Sequence, residues 1–176
     1  MLLLSIGEAA SYIDPKRGDL MWTQQQRDRL VLEHRLLQSV GLTQFGVYHD
    51  RDRDEYYGLG TTQTNVRSSY DLWIPIPSGY PDQRPPLYVW KPNPLPTSTG
   101  GTVNDAGLSH AMHTLKTGPR GVVQICHWRD ARWHAGITLD KVLLKGLIWL
   151  EAYEQHLSTG KSIDSFVRTM TEARQQ

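Results

Sequence analysis

The sequence predicts an α+β fold in which the helices and the strands occupy separate parts of the chain. Two segments with helical periodicity, 23–40 and 138–153, lie on either side of four short strand-like runs. Short turns join those runs, so a four-stranded antiparallel meander is the simplest arrangement. The elements do not alternate as βαβ units, which favours α+β over a doubly wound parallel sheet.

The first helix is predicted to begin after Thr23, because Thr23 and Gln26 have the spacing of a capping box. Gly41 supplies a stop signal at its other end. Its apolar residues fall on one broad helical face: Leu30, Leu32, Leu36, Leu37 and Val40. Three arginines are expected on or beside the polar side, either as a solvated face or as a docking face for a partner: Arg27, Arg29 and Arg35.

The strand-like runs lie between residues 45 and 90 and are separated by turn signals. The four runs are 45–49, 57–63, 70–77 and 87–90. A charged turn at 50–55 separates the first run from the second. Pro75 lies inside the third run, and because proline has no N–H, we expect an edge position or a bulge there.

A long irregular loop is predicted at 91–107, where proline, serine, threonine and glycine dominate. Loops of this length in compact domains are usually functional or mobile. After Trp133 a helix is expected to run to Tyr153, with Thr138 as its N-cap and Gly160 among the residues that end the helical pattern. Residues 162–173 predict a last, weakly amphipathic helix.

Length, charge and cysteine content set limits on the type of protein. The 176 residues predict a single domain at 23–176, preceded by an extension at 1–22 that is either a docking arm or a loosely ordered segment. The 19 basic and 18 acidic residues give a net charge of +1, so we expect no nucleic-acid partner and no acidic membrane surface. The apolar start is shorter than a signal sequence, and no run approaches the roughly 20 residues of a membrane span. We expect a cytoplasmic protein.

The single cysteine, Cys126, is the centre of the functional prediction. It excludes an internal disulfide framework and a cysteine-cluster metal site, which indicates a reducing compartment. The apolar run 122–125 leads into Cys126 and polar residues follow, as expected for an exposed thiol at the end of a strand. On its own, a lone cysteine is more often an inert small apolar residue than a nucleophile.

Three segments, in this order, resemble the ubiquitin-conjugating enzymes (the E2 or UBC fold). They are Trp73–Pro86 with its Tyr-Pro-x-x-x-Pro-Pro turn, Ile125–Cys126, and Trp133–Leu144. The resemblance covers roughly residues 23–157. It implies a UBC-like fold with an N-terminal helix, a four-stranded antiparallel meander, an active-site loop and shortened C-terminal helices. The shortened form resembles the E2-like proteins of bacterial operons, including antiphage-defence systems of the CBASS and bacterial ubiquitin-like types.

The resemblance implies that Cys126 carries an acyl group as a thioester. An E1-like activating enzyme, which uses ATP itself, would deliver a ubiquitin-like protein or the C-terminus of a cGAS-like nucleotidyltransferase. An amine of a target protein would then receive that acyl group. No cofactor or metal is implied for this chain. The nucleophile has to be a thiolate, and His127 and Arg129 are the candidates to raise the thiolate fraction.

One departure from the family concerns the residue that stabilises the oxyanion. The family has His-Pro-Asn shortly before its cysteine, whereas the nearest counterpart here is His113-Thr114-Leu115. His113 is the first candidate donor, His127 the second and a backbone N–H the third, with His110 below them. The alternatives are a loop histidine at position 113 that packs against an aromatic ring and an ordinary polar residue at position 127.

Other residues near the predicted site have supporting roles or remain open. Trp128 and Trp133 are expected to pack rather than to react. The group that helps to deprotonate the incoming amine is undecided among Glu154, His156 and Ser158. Four histidines match no reliable zinc spacing: His110, His113, His127 and His134. Two rival functions are a catalytically inactive UBC-fold scaffold and a cysteine hydrolase, which would need a positioned His with an Asn or Asp.

Overall fold

The structure is a computed structural model, and it describes residues 22–105 and 109–172. Its elements, in chain order, are α1 (Gln24–Ser39), β1 (Phe45–Asp50), β2 (Glu55–Gln63), β3 (Ser69–Ile76), β4 (Leu87–Lys91), β5 (Val123–Ile125), α2 (Leu139–Thr159) and α3 (Ile163–Glu172). Two short 3₁₀ turns lie at 119–121 and 130–132. The predicted extension at 1–22 falls outside the described residues except for Trp22. The Trp22 ring is buried against Tyr56, with its centroid 4.8 Å from that of the tyrosine.

The strands form one antiparallel sheet in the order β1-β2-β3-β4-β5. The α+β prediction is therefore confirmed, but the expected four-stranded sheet has a fifth strand. β5 pairs with β4 in the register Leu87↔Ile125 and Val89↔Val123. The apolar run before Cys126 thus extends the sheet by one strand, because its buried side chains continue the apolar face of β4.

Pro75 lies where β3 has only β2 as a neighbour. It is paired with Tyr57 of β2, whereas β4 pairs with β3 only from Asp71 to Trp73. A register shift between Asp71 and Leu72 also interrupts the ladder to β4. Proline is tolerated at this position because the second side of the strand needs no N–H donor there. The expected edge position is therefore wrong for β3, which is the central strand, although Pro75 itself has only β2 beside it.

Two helices pack against the sheet, α1 against β1 and α2 against β4, while α3 packs against α2, and the core contains side chains of the sheet and of these helices. Along β3 the side chains alternate between buried and half-buried, with Leu72 and Ile74 almost fully enclosed. On α2, Gly146 permits a close approach to the sheet, because a Cβ atom there would lie 2.8 Å from Cδ2 of Leu87. Within the described ranges 22–105 and 109–172, no helix has both the length and the apolar character to cross a membrane.

The buried face of α1 differs from the apolar face that the spacing of its leucines suggests. Leu30 is fully buried, but Leu32 and Val40 are 47% and 53% exposed. Arg27 is on the buried face rather than on the polar side, because its Nη1 donates to the backbone oxygen of Trp22 at 2.6 Å. Glu33 is buried on the same face. The buried face of α1 thus contains the hydrogen-bonded polar side chains of Arg27 and Glu33, whereas Leu32 and Val40 lie outside it.

Glu33 joins α1 to two distant parts of the chain through one buried carboxylate. Its Oε1 accepts hydrogen bonds from the hydroxyl of Tyr80 at 2.5 Å and from Nε of Arg29 at 2.6 Å. Its Oε2 accepts the backbone N–H of Leu139, the first residue of α2, at 2.7 Å. Thr138 occupies the predicted N-cap position of α2 but makes no capping bond with its side chain, so Glu33 of α1 caps α2 instead. A buried charge is tolerated when it is paired and hydrogen-bonded in this way.

Candidate functional site

Cys126 is a free, partly exposed cysteine that directly follows β5. Its backbone N–H donates to the carbonyl of His113 at 2.9 Å. One residue earlier, Ile125 forms an antiparallel bridge with Thr114, and Leu115 donates to the carbonyl of Gln124 at 2.9 Å. The loop before β5 therefore runs antiparallel along its outer edge. This pairing places His113 directly opposite Cys126.

His113 is held by a carboxylate from the C-terminal helix. Its Nε2 is 2.8 Å from Oδ1 of Asp164, and the two side chains are 28% and 26% exposed. Asp164 lies in the first turn of α3, and its backbone N–H donates to the carbonyl of Ala111 at 2.9 Å. Two bonds thus fix the start of α3 to the loop that carries His113. Sequence reasoning missed Asp164, since no local pattern marks a partner 51 residues away.

The bond to Asp164 determines which ring nitrogen of His113 is available. A carboxylate accepts hydrogen bonds, so Nε2 carries the hydrogen and, in the neutral ring, Nδ1 has an open lone pair. An oxyanion would need an N–H donor, which Nδ1 of the neutral ring is not. The arrangement favours proton acceptance at Nδ1 over the donor role expected for His113.

His127 has a different environment from the one expected at a strand end. Its side chain is buried, and Nε2 donates to the carbonyl of Pro85 at 2.9 Å. Burial, followed by the positive charge of Arg84, lowers the pKa of His127 to about 4. The ring is therefore neutral near pH 7 and does not stabilise a Cys126 thiolate by charge. This corrects the expectation that His127 raises the thiolate fraction. Arg129, the other candidate for that role, is exposed.

The segment after Cys126 is bound to the Tyr80–Pro86 turn. Besides the bond from His127, Arg84 donates through Nε to Asp130 at 2.6 Å. The indole N–H of Trp133 donates to the carbonyl of Pro81 at 2.9 Å. Two of the segments that carry the family resemblance are therefore in direct contact. Trp133 and Trp128 are both partly buried against the core, which confirms their predicted packing role.

The remaining candidates of the sequence analysis are less closely connected with Cys126. His110 and His134 are exposed. Glu154 is buried and accepts the hydroxyl of Tyr70 at 2.6 Å, and the ring of His156 is bonded to the carbonyl of Lys161 at 2.7 Å. Both side chains therefore have structural partners. In the part of the chain that the structure describes, no group of three or more His, Cys, Asp or Glu is placed to hold a metal ion.

In chemical terms, the site offers a partly exposed thiol opposite an imidazole that a carboxylate orients. Such a group of side chains suits a covalent acyl-enzyme step followed by proton transfer. Comparison with protein-family models, with curated proteins and with solved structures gives no match.

Proposed function

We propose that the protein is an E2-like transferase with a UBC-like fold, which carries a ubiquitin-like protein as a thioester on Cys126 and passes it to an amine. The observation that carries the proposal is the position of Cys126. It is partly exposed, it follows an edge strand, and the segment behind it is bonded to the Tyr80–Pro86 turn. The order of the three resembling segments supports the same function.

The reaction has two acyl transfers. In the first, the Cys126 thiolate attacks the thioester of an activating enzyme; the new C–S bond forms as the old one breaks, and the enzyme's thiolate leaves. In the second, an amine attacks the new thioester, a C–N bond forms, and the sulfur of Cys126 leaves with the electron pair. A free thiol with a pKa near 8.5 is only a few per cent ionised at neutral pH. Full burial in apolar surroundings would lower that fraction further, so a partly exposed thiol is better suited to act as the nucleophile.

The partners follow from the same proposal. They are an E1-like activating enzyme, a ubiquitin-like protein or the C-terminus of a cGAS-like nucleotidyltransferase, and a target protein with an accessible amine. The resemblance to E2-like proteins of antiphage-defence operons supports a role in bacterial antiviral defence, in the cytoplasm. No metal or cofactor is needed on this chain for either acyl transfer.

A non-reducing gel tests the proposal. The protein is incubated with an E1-like activating enzyme and a candidate ubiquitin-like protein, together with ATP. We expect an adduct that a thiol reductant removes, that is absent in Cys126→Ala, and that becomes resistant to the reductant in Cys126→Ser because an oxygen ester replaces the thioester. Stable binding of the ubiquitin-like protein without any adduct would favour the inactive scaffold instead.

The His113–Asp164 pair also favours a second candidate, a cysteine hydrolase. Cys126, His113 and Asp164 are the residue types of a nucleophile, base and orienting carboxylate. The covalent intermediate would be the same, but water would release the acyl group. Transfer of the acyl group from loaded Cys126 to lysine would support the transferase. Release of only the free acid, at the same rate with or without lysine, would support the hydrolase.

A further inference from the structure

We propose that His113 is the general base for the attacking amine and that Asp164 is its positioning residue. This rests on the proposed function, and it assigns the thioester-resolving step to a pair of residues that the resemblance does not supply. The pair joins a loop of the sheet edge to the first turn of α3. It therefore depends on α3, an element outside the segments that resemble the family.

The first support is the backbone register around Cys126. The bridge between Thr114 and Ile125 is followed by the bond from the Cys126 N–H to the His113 carbonyl. These two contacts hold the backbones of His113 and Cys126 side by side. A base has to lie within hydrogen-bond reach of the proton it accepts, or one water away. The register brings His113 next to Cys126, where a base for an amine at the Cys126 thioester has to lie.

The second support is the way in which His113 is held. Its backbone has a φ of 50°, in the left-handed region that non-glycine residues seldom adopt. Two hydrogen bonds from Asp164, which lies outside the loop, fix this conformation. Its backbone N–H donates to the Ala111 carbonyl, and its carboxylate accepts from Nε2 of His113. Unusual backbone conformations persist where the surroundings impose them, and they cluster at functional sites.

The third support is the direction of proton flow. As the amine nitrogen forms its bond to the thioester carbon, its proton passes to Nδ1 of His113. The electron pair of the broken C–S bond goes to the sulfur of Cys126. The Asp164 carboxylate, already bonded to Nε2–H, stabilises the imidazolium that results. The imidazolium then returns its proton to the Cys126 thiolate or to water, and no further reactant is needed.

A small-molecule assay tests this step without an activating enzyme. Purified protein is loaded with a short peptide that ends in Gly-Gly, supplied as the thioester of a small thiol. Mass spectrometry measures the loading of Cys126, and a single-turnover reaction with free lysine measures its discharge. The titratable groups beside His113 are Cys126 across the pairing, Asp164 on α3 and His110 in the same turn, so both rates are followed against pH.

We expect Asp164→Asn to load Cys126 as fast as the wild type but to discharge at least about tenfold more slowly at neutral pH. Asp164→Glu should restore part of the rate. Asp28→Asn, an exposed acidic residue of another helix, is the matched control and should behave as the wild type.

Chemical rescue separates a base from a purely structural residue. We expect His113→Ala to load normally, to discharge slowly, and to regain discharge when free imidazole is added. A wild-type discharge rate in Asp164→Asn would overturn the inference and leave the proposed function intact. So would a slow His113→Ala variant that imidazole does not rescue. A wild-type protein that never loads would instead refute the proposed function. Thermal melting of each variant checks that it is folded.

Discussion

Mild acid should destabilise the fold through His127. Burial lowers the pKa of His127 to about 4 in the folded protein, whereas an ordinary histidine titrates near 6.5. Between these two values the unfolded chain binds a proton that the folded protein does not. The free energy of unfolding therefore falls as the pH falls through this window. A difference of about 2.5 units, at 1.36 kcal/mol each, gives a loss of roughly 3 kcal/mol by about pH 4.

Urea unfolding of the wild type and of His127→Gln, measured from about pH 7 to about pH 4, checks this figure. Glutamine keeps an N–H donor for the Pro85 carbonyl but does not titrate, so the variant should lose about 3 kcal/mol less than the wild type over the window. His134→Gln replaces an exposed histidine and should follow the wild type. If the wild type and His127→Gln lose stability in parallel, His127 is not the group responsible, and the inferred effect of its burial is refuted.

Three further substitutions test the packing. Glu33→Ala leaves two buried donors, the Tyr80 hydroxyl and the Leu139 N–H, without an acceptor and should lower the free energy of unfolding in urea by about 3–5 kcal/mol; a loss below about 1 would contradict the role given to Glu33. Leu30→Ala should cost about 2–5 kcal/mol and Leu32→Ala less than about 0.5, and equal losses would show that the buried face of α1 is misassigned. Gly60→Ala places a Cβ 2.3 Å from the Phe45 ring and should lower the free energy of unfolding by about 1–3 kcal/mol. Thermal melting detects this as a lower midpoint, and an unchanged midpoint would rule out the close contact.

Local sequence patterns predicted the start of α1 and the glycines that follow α1 and α2, although α2 runs to Thr159 rather than to Tyr153. The capping box of Thr23 and Gln26 is present, Gly41 follows α1 with a positive φ, and Gly160 ends α2 in the left-handed conformation. Each of these signals acts through hydrogen bonds within a few residues, so the chain around it contains the whole cause. The strands between residues 45 and 91 were predictable for the same reason, because their alternation is a property of neighbouring side chains.

Burial of polar side chains could not be predicted in this way. Hydropathy places Leu32 and Val40 inside and Arg27 and Glu33 outside, yet the structure reverses all four. Glu33 is buried because two donors from distant parts of the chain, the Tyr80 hydroxyl and the Leu139 N–H, meet there beside Arg29 of the same helix. No pattern within α1 contains that information.

The candidate site shows the same limit. The apolar run before Cys126 indicated a strand end at the cysteine, although the predicted meander counted only four strands. The partner of His113, by contrast, comes from α3, and the burial of His127 depends on the turn that contains Pro85. Both facts require the tertiary fold. The residue types near Cys126 were therefore foreseeable, while their protonation states and orientations were not.

The buried carboxylate of Glu33 has a consequence for the order of events in folding. Two of its partners lie 47 and 106 positions away, at Tyr80 and Leu139. Removing a carboxylate from water before those donors have gathered is unfavourable, so its contacts form after the surrounding elements have docked. Substitutions at Glu33 should then leave the folding rate nearly unchanged and accelerate unfolding. The contacts of Glu33 would therefore form late in folding and would mainly slow unfolding, so they set the lifetime of the folded protein.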